Sequence, residues 1–272
     1  MNARDIMALL PLILLAGTAN VVMLAIAFRR NHALAAGLTL VGLAAAFLSL
    51  FAASPLAPRQ VTSLLLVDQY ALFYMGLIIM SAAAVAVLSY EYLEKHDGRR
   101  EELYLLLVLA TLGCAALVAS SHFVSFLLGL EILSISLYAM VAYLKDQKLA
   151  LEAAIKYLIL ASASAAFLLF GAALVYADTG TMSFSRLGEF PANAPGSLLL
   201  SGIVLTITGI GFKLAVVPFH LWTPDVYEGA SAPVGAFVAT TSKGAMVALL
   251  VRYFCFSGTL EYRPVFLVFS VI

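Results

Sequence analysis

Apolar residues fill this chain in blocks of about 20, the length a helix needs to cross a bilayer core, and short polar stretches divide them. The blocks predict spanning helices near 6–28, 33–53, 67–90, 103–120, 123–143, 152–177, 198–223 and 232–256, with a ninth beginning at about 264. The dividers carry turn and helix-ending chemistry: Arg29, Arg30 and Asn31; Ser54, Pro55 and Pro58; the charged run Glu94 to Glu102; and Lys145 to Lys148. The longest, 178–197, holds Gly180, Pro191 and Pro195. The fold class is therefore all-α, a polytopic membrane helix bundle of eight full transmembrane helices plus the start of a ninth. The opening MNARDIMALLPLILLAG has the look of a signal peptide. Its apolar run continues to Phe28 with no convincing small-residue cleavage site, so it reads as a retained first span. The final PVFLVFSVI is too short to span and lacks a terminating signal. The chain is expected to be the first part of a longer protein.

Composition agrees. Of 272 residues, 63% are hydrophobic and 11% charged, and the mean hydropathy is +1.03; a soluble surface would leave such a chain with large apolar patches in water. The net charge of +0 offers no basic patch, which argues against a nucleic-acid partner. Cys114 and Cys255 lie inside apolar stretches, so a structural disulfide is not expected, and no CxxC pair marks an iron–sulfur or zinc site. Nucleotide loops, HExxH and paired haem-ligating histidines are also missing from the sequence; GIGFKL belongs to a membrane helix. Orientation follows from lysine and arginine in alternate loops. Arg29, Arg30, Lys95, Arg99, Arg100, Lys145 and Lys148 outweigh Arg4, Arg59, Arg186 and Arg263. The richer side is expected in the cytoplasm and the N-terminus outside.

Against this background, ionisable residues within spans stand out, because a charge near the bilayer centre costs roughly 2.5–3.5 kcal/mol on insertion scales. Glu131, Lys156, Lys213 and Lys243 occupy the fifth to eighth predicted helices in turn. Such a series suggests ion or proton movement. Glu131 falls near mid-membrane; it would pair with a cation or relay protons, or it would serve as a structural carboxyl bonded to a neighbouring helix. Lys213 follows Gly209 and Gly211 and precedes Pro218, which predicts a broken seventh helix with the lysine at the break, a place where transport sites recur. The alternative is snorkelling to the interface. Lys243 has Thr240, Thr241, Ser242 and Gly244 around it, giving hydrogen-bond partners and room for water. Lys156 lies near the cytoplasmic boundary, where snorkelling or an ordinary i−4 pair with Glu152 would also explain it. His220 follows the break with an imidazole suited to proton exchange near neutral pH, or serves as an ordinary interfacial residue. His32 and His122 read as interface residues, and Asp68 as a helix cap. Trp222, Tyr227, Tyr90 and Tyr92 fit an interfacial aromatic belt.

Three separated stretches together resemble a known family. GIGFKLAVVPFHLWTPDVYEGASAPVGAFVATTSKGA, LGLEILSISLYAMVAY and LEAAIKYLILASASAAFLLFGAALVY are similar to the signatures of the antiporter-like membrane subunits of respiratory complex I. The likeness covers at least 103–256. It implies that Glu131 is the family's key glutamate on the fifth helix, Lys213 the key lysine on the broken seventh, and Lys156 and Lys243 the lysines of the sixth and eighth. It implies two inverted five-helix repeats, of which the chain holds the first: 1–102 would be an N-terminal three-helix segment, 103–256 the first repeat, and 257–272 the start of the next helix. The family's ionisable residue on the twelfth helix has no counterpart in these residues.

The resemblance further implies proton translocation coupled to NADH:quinone oxidoreduction in a bacterial inner membrane. NADH, FMN, iron–sulfur clusters and quinone would sit elsewhere in the complex, with no cofactor on this chain. Its partners would be other membrane subunits and the bilayer, and quinone only indirectly. Glu131 would hold Lys213 charged, and weakening that pair would send the proton toward Lys243 or an exit path. Subunits of multi-subunit cation/proton antiporters and membrane-bound hydrogenases share these motifs, and a non-transporting scaffold pinned by buried charges is the alternative of another class.

Overall fold

The computed structural model describes residues 2–95, 98, 100–144, 147–187 and 196–257. Eight helices in it are long and apolar enough to cross a membrane: α1 (Leu10–Phe28), α2 (His32–Ala53), α3 (Gln69–Glu94), α4 (Glu102–Ala119), α5 (Phe123–Val141), α6 (Lys148–Thr179), α7 (Ser197–Leu214) and α8. The last is built in three pieces, Ala232–Phe237, a π-helical segment Val238–Ser242, and Lys243–Ser257. The polytopic bundle expected from the apolar blocks is present. The ninth helix expected from about 264 lies outside the described residues.

Two boundaries differ from the sequence reading. The first span, expected from residue 6, is divided at Leu9, so that a short helix Ala3–Ala8 precedes α1. More consequentially, the seventh helix, expected to reach residue 223, stops at Leu214. The residues beyond it form a turn and a separate lateral helix, Trp222–Gly229. Hydropathy could not see this break, because Ala215, Val216 and Val217 are as apolar as the helix they end.

Polar side chains punctuate the bundle where the sequence placed its dividers. Asn31 accepts the Leu34 amide at 2.9 Å to start α2, and Asp68 accepts that of Ala71 at 2.8 Å to start α3. His122 Nδ1 takes the Val124 amide at 3.2 Å to start α5. Each satisfies an amide that a helix N-terminus leaves without a partner. At the end of the bundle that holds Asp68 and His122, a two-stranded hairpin pairs Arg59–Gln60 with Leu66–Val67, and isolated bridges join Leu65 to Ser120 and His122 to Ser183. Arg59 closes onto Asp5 in an ion pair, tying the N-terminal helix to the hairpin.

Helix α4 forms the centre and touches α1, α3, α5 and α8; α5, α6 and α7 continue outward in sequence order. Large apolar side chains such as Leu128, Ile135, Ile159 and Phe170 are exposed on the periphery, the arrangement lipid requires and water penalises. In lipid there is little hydrophobic drive between helices, so close backbone approach matters most. Helices α6 and α7 achieve it through Gly171 and Gly202: a Cβ on Gly202 would lie 2.8 Å from the Gly171 carbonyl oxygen and 2.9 Å from the Val175 nitrogen. These neighbours are backbone and cannot swing aside. Gly202→Val therefore forces α7 away from α6 at a cost of about 1–3 kcal/mol; in membranes from cells carrying the variant, the amount of chain retained after mild detergent extraction is expected to fall below that of Gly202→Ala.

Candidate functional site

The break in α7 places the site. Ala215 takes a left-handed conformation, φ 59° and ψ 40°, unusual for a residue with a Cβ. Its amide donates to the Phe212 carbonyl and that of Val216 to the Gly211 carbonyl, both at 3.0 Å. These are the two bonds of a Schellman cap, here with alanine where glycine is usual. The Trp222 indole N–H adds a second bond to the Phe212 carbonyl at 2.9 Å. The Gly211 and Phe212 carbonyls freed by the break are thus satisfied by the chain that follows it. Lys213 sits in this last turn, where the negative end of the helix dipole favours a cation.

The Lys213 side chain is buried, with 7% of the residue exposed. Its ammonium donates to Ser134 Oγ at 2.7 Å and lies 5.8 and 5.7 Å from the ring centres of Tyr138 and Tyr157. Ring faces attract cations at this range, more strongly when desolvated. Ser134 passes its own proton to the Leu130 carbonyl at 2.6 Å, which leaves its lone pairs toward the lysine. Glu131, half-buried and one turn before Ser134 on α5, reaches the ammonium only through space. Glu131 thus acts on Lys213 as a nearby opposite charge, while the direct contact to the ammonium comes from Ser134.

The lateral helix gathers the rest. Trp222 is almost wholly buried, stacked on Tyr157 at 4.6 Å and 15° and on Phe212 at 5.5 Å, so it forms part of the lysine's enclosure rather than an interfacial belt. Asp225 pairs with Lys156 at 3.1 Å, and Lys156 also bonds Glu152 at 2.8 Å. Lys156 is half-exposed and bridges α6 to the lateral helix instead of reaching toward Lys213. Tyr227 places its ring 5.4 Å from the Lys243 ammonium. Gly229 closes the packing: a Cβ there would meet Ala153 and the Leu149 carbonyl of α6. Three of its eight residues thus meet three lysines or their immediate neighbours.

Lys243 begins the final piece of α8, directly after the π segment. A π segment widens one turn and marks functional sites often. In this one, Thr241 Oγ1 meets Ser81 Oγ of α3 at 2.5 Å, and Thr240 returns its hydroxyl to the Ala236 carbonyl at 2.7 Å. His220 lies in the turn after the break. Its Nδ1 and the nearby Thr223 Oγ1 are buried with no hydrogen-bond partner among the described residues. Buried polar atoms of this kind are generally served by ordered water. Among the described residues no cluster of three metal-ligating side chains occurs.

Sequence reasoning missed Ser134, Trp222 and Asp225. The signal for Ser134 was its place one turn from Glu131; for the other two it was the helix break itself, after which an aromatic and an acid fall back onto α6.

The model of the family described as NADH:quinone oxidoreductase/Mrp antiporter, TM, matches residues 120–272. The chain is 54% identical, over 98% of its length, to NADH-quinone oxidoreductase subunit N of Nitrosospira multiformis, of which it covers 54%. Among solved structures it resembles a chain of respiratory complex I from Thermus thermophilus with bound aureothin, with a TM-score of 0.77 and 34% identity over 89% of this chain and 52% of that one. A chain of the Mrp complex from Dietzia sp. has the same fold, with a TM-score of 0.76 at 17% identity over 97% of this chain and 51% of that one. The chain spans about half the length of the relatives it matches.

Two substitutions test the construction of the site. Ala215→Gly relieves the left-handed strain and should leave the assembled amount unchanged, whereas Ala215→Val, β-branched at positive φ, should lower it on native gels. Ser134→Ala strips an acceptor from a buried ammonium, a hydrogen bond worth about 1.5–3 kcal/mol. Proton pumping in vesicles should fall several-fold with assembly kept, and Ser134→Thr should recover most of it.

Proposed function

The chain belongs to the NADH:quinone oxidoreductase/Mrp antiporter membrane family, and we propose from this that it is a proton-translocating membrane subunit of an NADH:quinone oxidoreductase. The observation that carries the reading is the buried Lys213 ammonium at the break of α7, held by a hydroxyl and two rings and, among the described residues, by no carboxylate in contact. A cation so held is poised: its charge is supported by polarisable and hydrogen-bonding neighbours, and a small movement of Ser134 or of the rings removes that support. A fully paired lysine would give up its proton far less readily.

In this reading Lys213 is the central proton carrier. Glu131 supplies the through-space field that favours the loaded state, and Ser134 holds the ammonium directly through its hydroxyl. Lys243 is the next station, reached through water and hydroxyls, with Tyr227 stabilising its charge. Lys156 acts less as a carrier than as a sensor, because its pair with Asp225 ties α6 to the lateral helix that also carries Trp222 and Tyr227. A displacement of that helix would alter all three lysines together. His220 and Thr223, with polar atoms that call for water, supply the entry side.

In this reading the lysine- and arginine-rich loops lie in the cytoplasm, the break of α7 lies toward that face of a bacterial inner membrane, and the N-terminus lies outside. NADH, FMN, iron–sulfur clusters and quinone belong to other parts of the complex, which also supplies the neighbouring membrane subunits. Residues 1–102 serve as the N-terminal three-helix segment and 103–256 as the first antiporter-like repeat. The greater identity to subunit N than to the Mrp chain favours this reading over a monovalent cation/proton antiporter.

The test uses membrane vesicles carrying Lys213→Ala in the full-length gene, with assembly confirmed first. NADH-driven acidification and NADH:quinone turnover are recorded together. Acidification is expected to drop to background and turnover to slow with it. Retention of both in an assembled complex would return Lys213 to a structural role and sink the proposal.

A further inference from the structure

A fifth charge within the spans lies outside the series of Glu131 and the three lysines. The side chain of Arg252, on the final piece of α8, is only 1% exposed. Its Nη2 donates to Asp68 Oδ1 at 2.6 Å, and its guanidinium lies 5.1 Å from the centre of the Tyr70 ring. Tyr70 in turn donates its hydroxyl to the Ala248 carbonyl at 2.8 Å, one turn before Arg252. Asp68 is itself fixed, since the same oxygen caps α3 through the Ala71 amide. Charge, ring and hydroxyl thus bind the start of α3 to the far half of α8 at three points.

The other tie between these helices is Ser81 with Thr241, inside the π segment. Asp68 and Tyr70 meet Arg252 and Ala248 while Ser81 meets Thr241, so the helices run antiparallel, and Lys243 lies between the two ties. This placement matters because a π segment holds one residue more than a regular turn. Annealing it to α-helix would rotate one half of α8 against the other by about one residue, roughly 100°. Lys243 would then leave the Tyr227 ring. Such rotation, or an axial slip, would also strand the guanidinium without its carboxylate in apolar surroundings, a heavily penalised state. Buried ion pairs are best attested as devices that fix register, and arginine holds its charge at any accessible pH.

We propose that Asp68, Tyr70 and Arg252 are positioning residues that set the rotational register of the Lys243 half of α8 against α3 and so keep the π segment in place. The consequence for transport rests on the role given to Lys243 above; the register itself does not.

The test is made in the full-length chain within the assembled complex, with native cysteines replaced. Cysteines at Ser81 and Thr241 report the observed register, since their hydroxyls touch and a disulfide needs Cβ atoms about 3.8 Å apart. Cysteines at Ser81 and Ser242 report a one-residue rotation. In Asp68→Leu/Arg252→Met, where both charges are removed together, the ratio of the first crosslink to the second is expected to fall several-fold, and protons moved per NADH oxidised to fall with it. Tyr70→Phe, which keeps the ring and loses the hydroxyl's tie to Ala248, should shift the ratio in the same direction to a smaller extent. It also provides the reading if the double variant does not assemble. An unchanged ratio overturns the inference, whatever Lys213→Ala shows. A shifted ratio with normal coupling upholds the register and counts instead against Lys243 as a proton station.

Discussion

A buried ammonium cannot be left without support in lipid, and the region around α5 to α8 is organised by that constraint at Lys213. The helix ends one residue later, so its dipole and its freed carbonyls lie beside the charge. Ending a helix inside an apolar segment creates a second problem, because those carbonyls need donors. The strained Ala215, the Val216 amide and the Trp222 indole provide them for Gly211 and Phe212. The same tryptophan then stacks on Tyr157, one of the two rings facing the lysine. Cap and cage are therefore one structure, and neither could be rearranged alone.

The lateral helix follows from the break. Once α7 stops early, the chain must travel across α6 before α8 begins, and it does so pressed against the backbone at Leu149 through Gly229. Its eight residues carry the indole under Lys213, the carboxylate on Lys156 and the ring at Lys243. These contacts lie on one rigid element, so the electrostatic surroundings of the three lysines are mechanically linked. That linkage is the physical basis for reading them as one proton-handling unit rather than as separate structural charges.

The two ends of the bundle are tied differently. At the hairpin end, charged pairs and backbone bridges interlock: Asp5 with Arg59, Asp68 with Arg252, Leu65 with Ser120, His122 with Ser183. At the other end, the contacts of the break are aromatic stacking, single hydrogen bonds and a half-exposed ion pair. Contacts of the second kind change at lower cost than interlocked backbone. If Lys213 carries protons as proposed, the movement that loads and unloads it would arise at the break, with the hairpin end as the firmer frame.

How much of this was written in the sequence depends on the range of the interaction. Hydropathy alone placed eight spans, because the need to keep backbone polar groups bonded in lipid leaves an apolar segment of that length little choice but helix. The lysines and Glu131 stood out for the same reason: a charge in such a segment is conspicuous wherever it points. Asn31, Asp68 and His122 cap helices through contacts two or three residues away, a range at which residue type carries real information. The stop at Leu214 was visible only as a tendency, since Pro218 announces a break without fixing its residue. Partners decided everything else. That Lys213 meets Ser134 rather than Glu131, that Trp222 turns inward, and that Arg252 finds Asp68 across 184 positions depend on which helix faces rotate together. In lipid that rotation is set by close backbone contacts such as Gly171 against Gly202, which no single apolar segment encodes by itself.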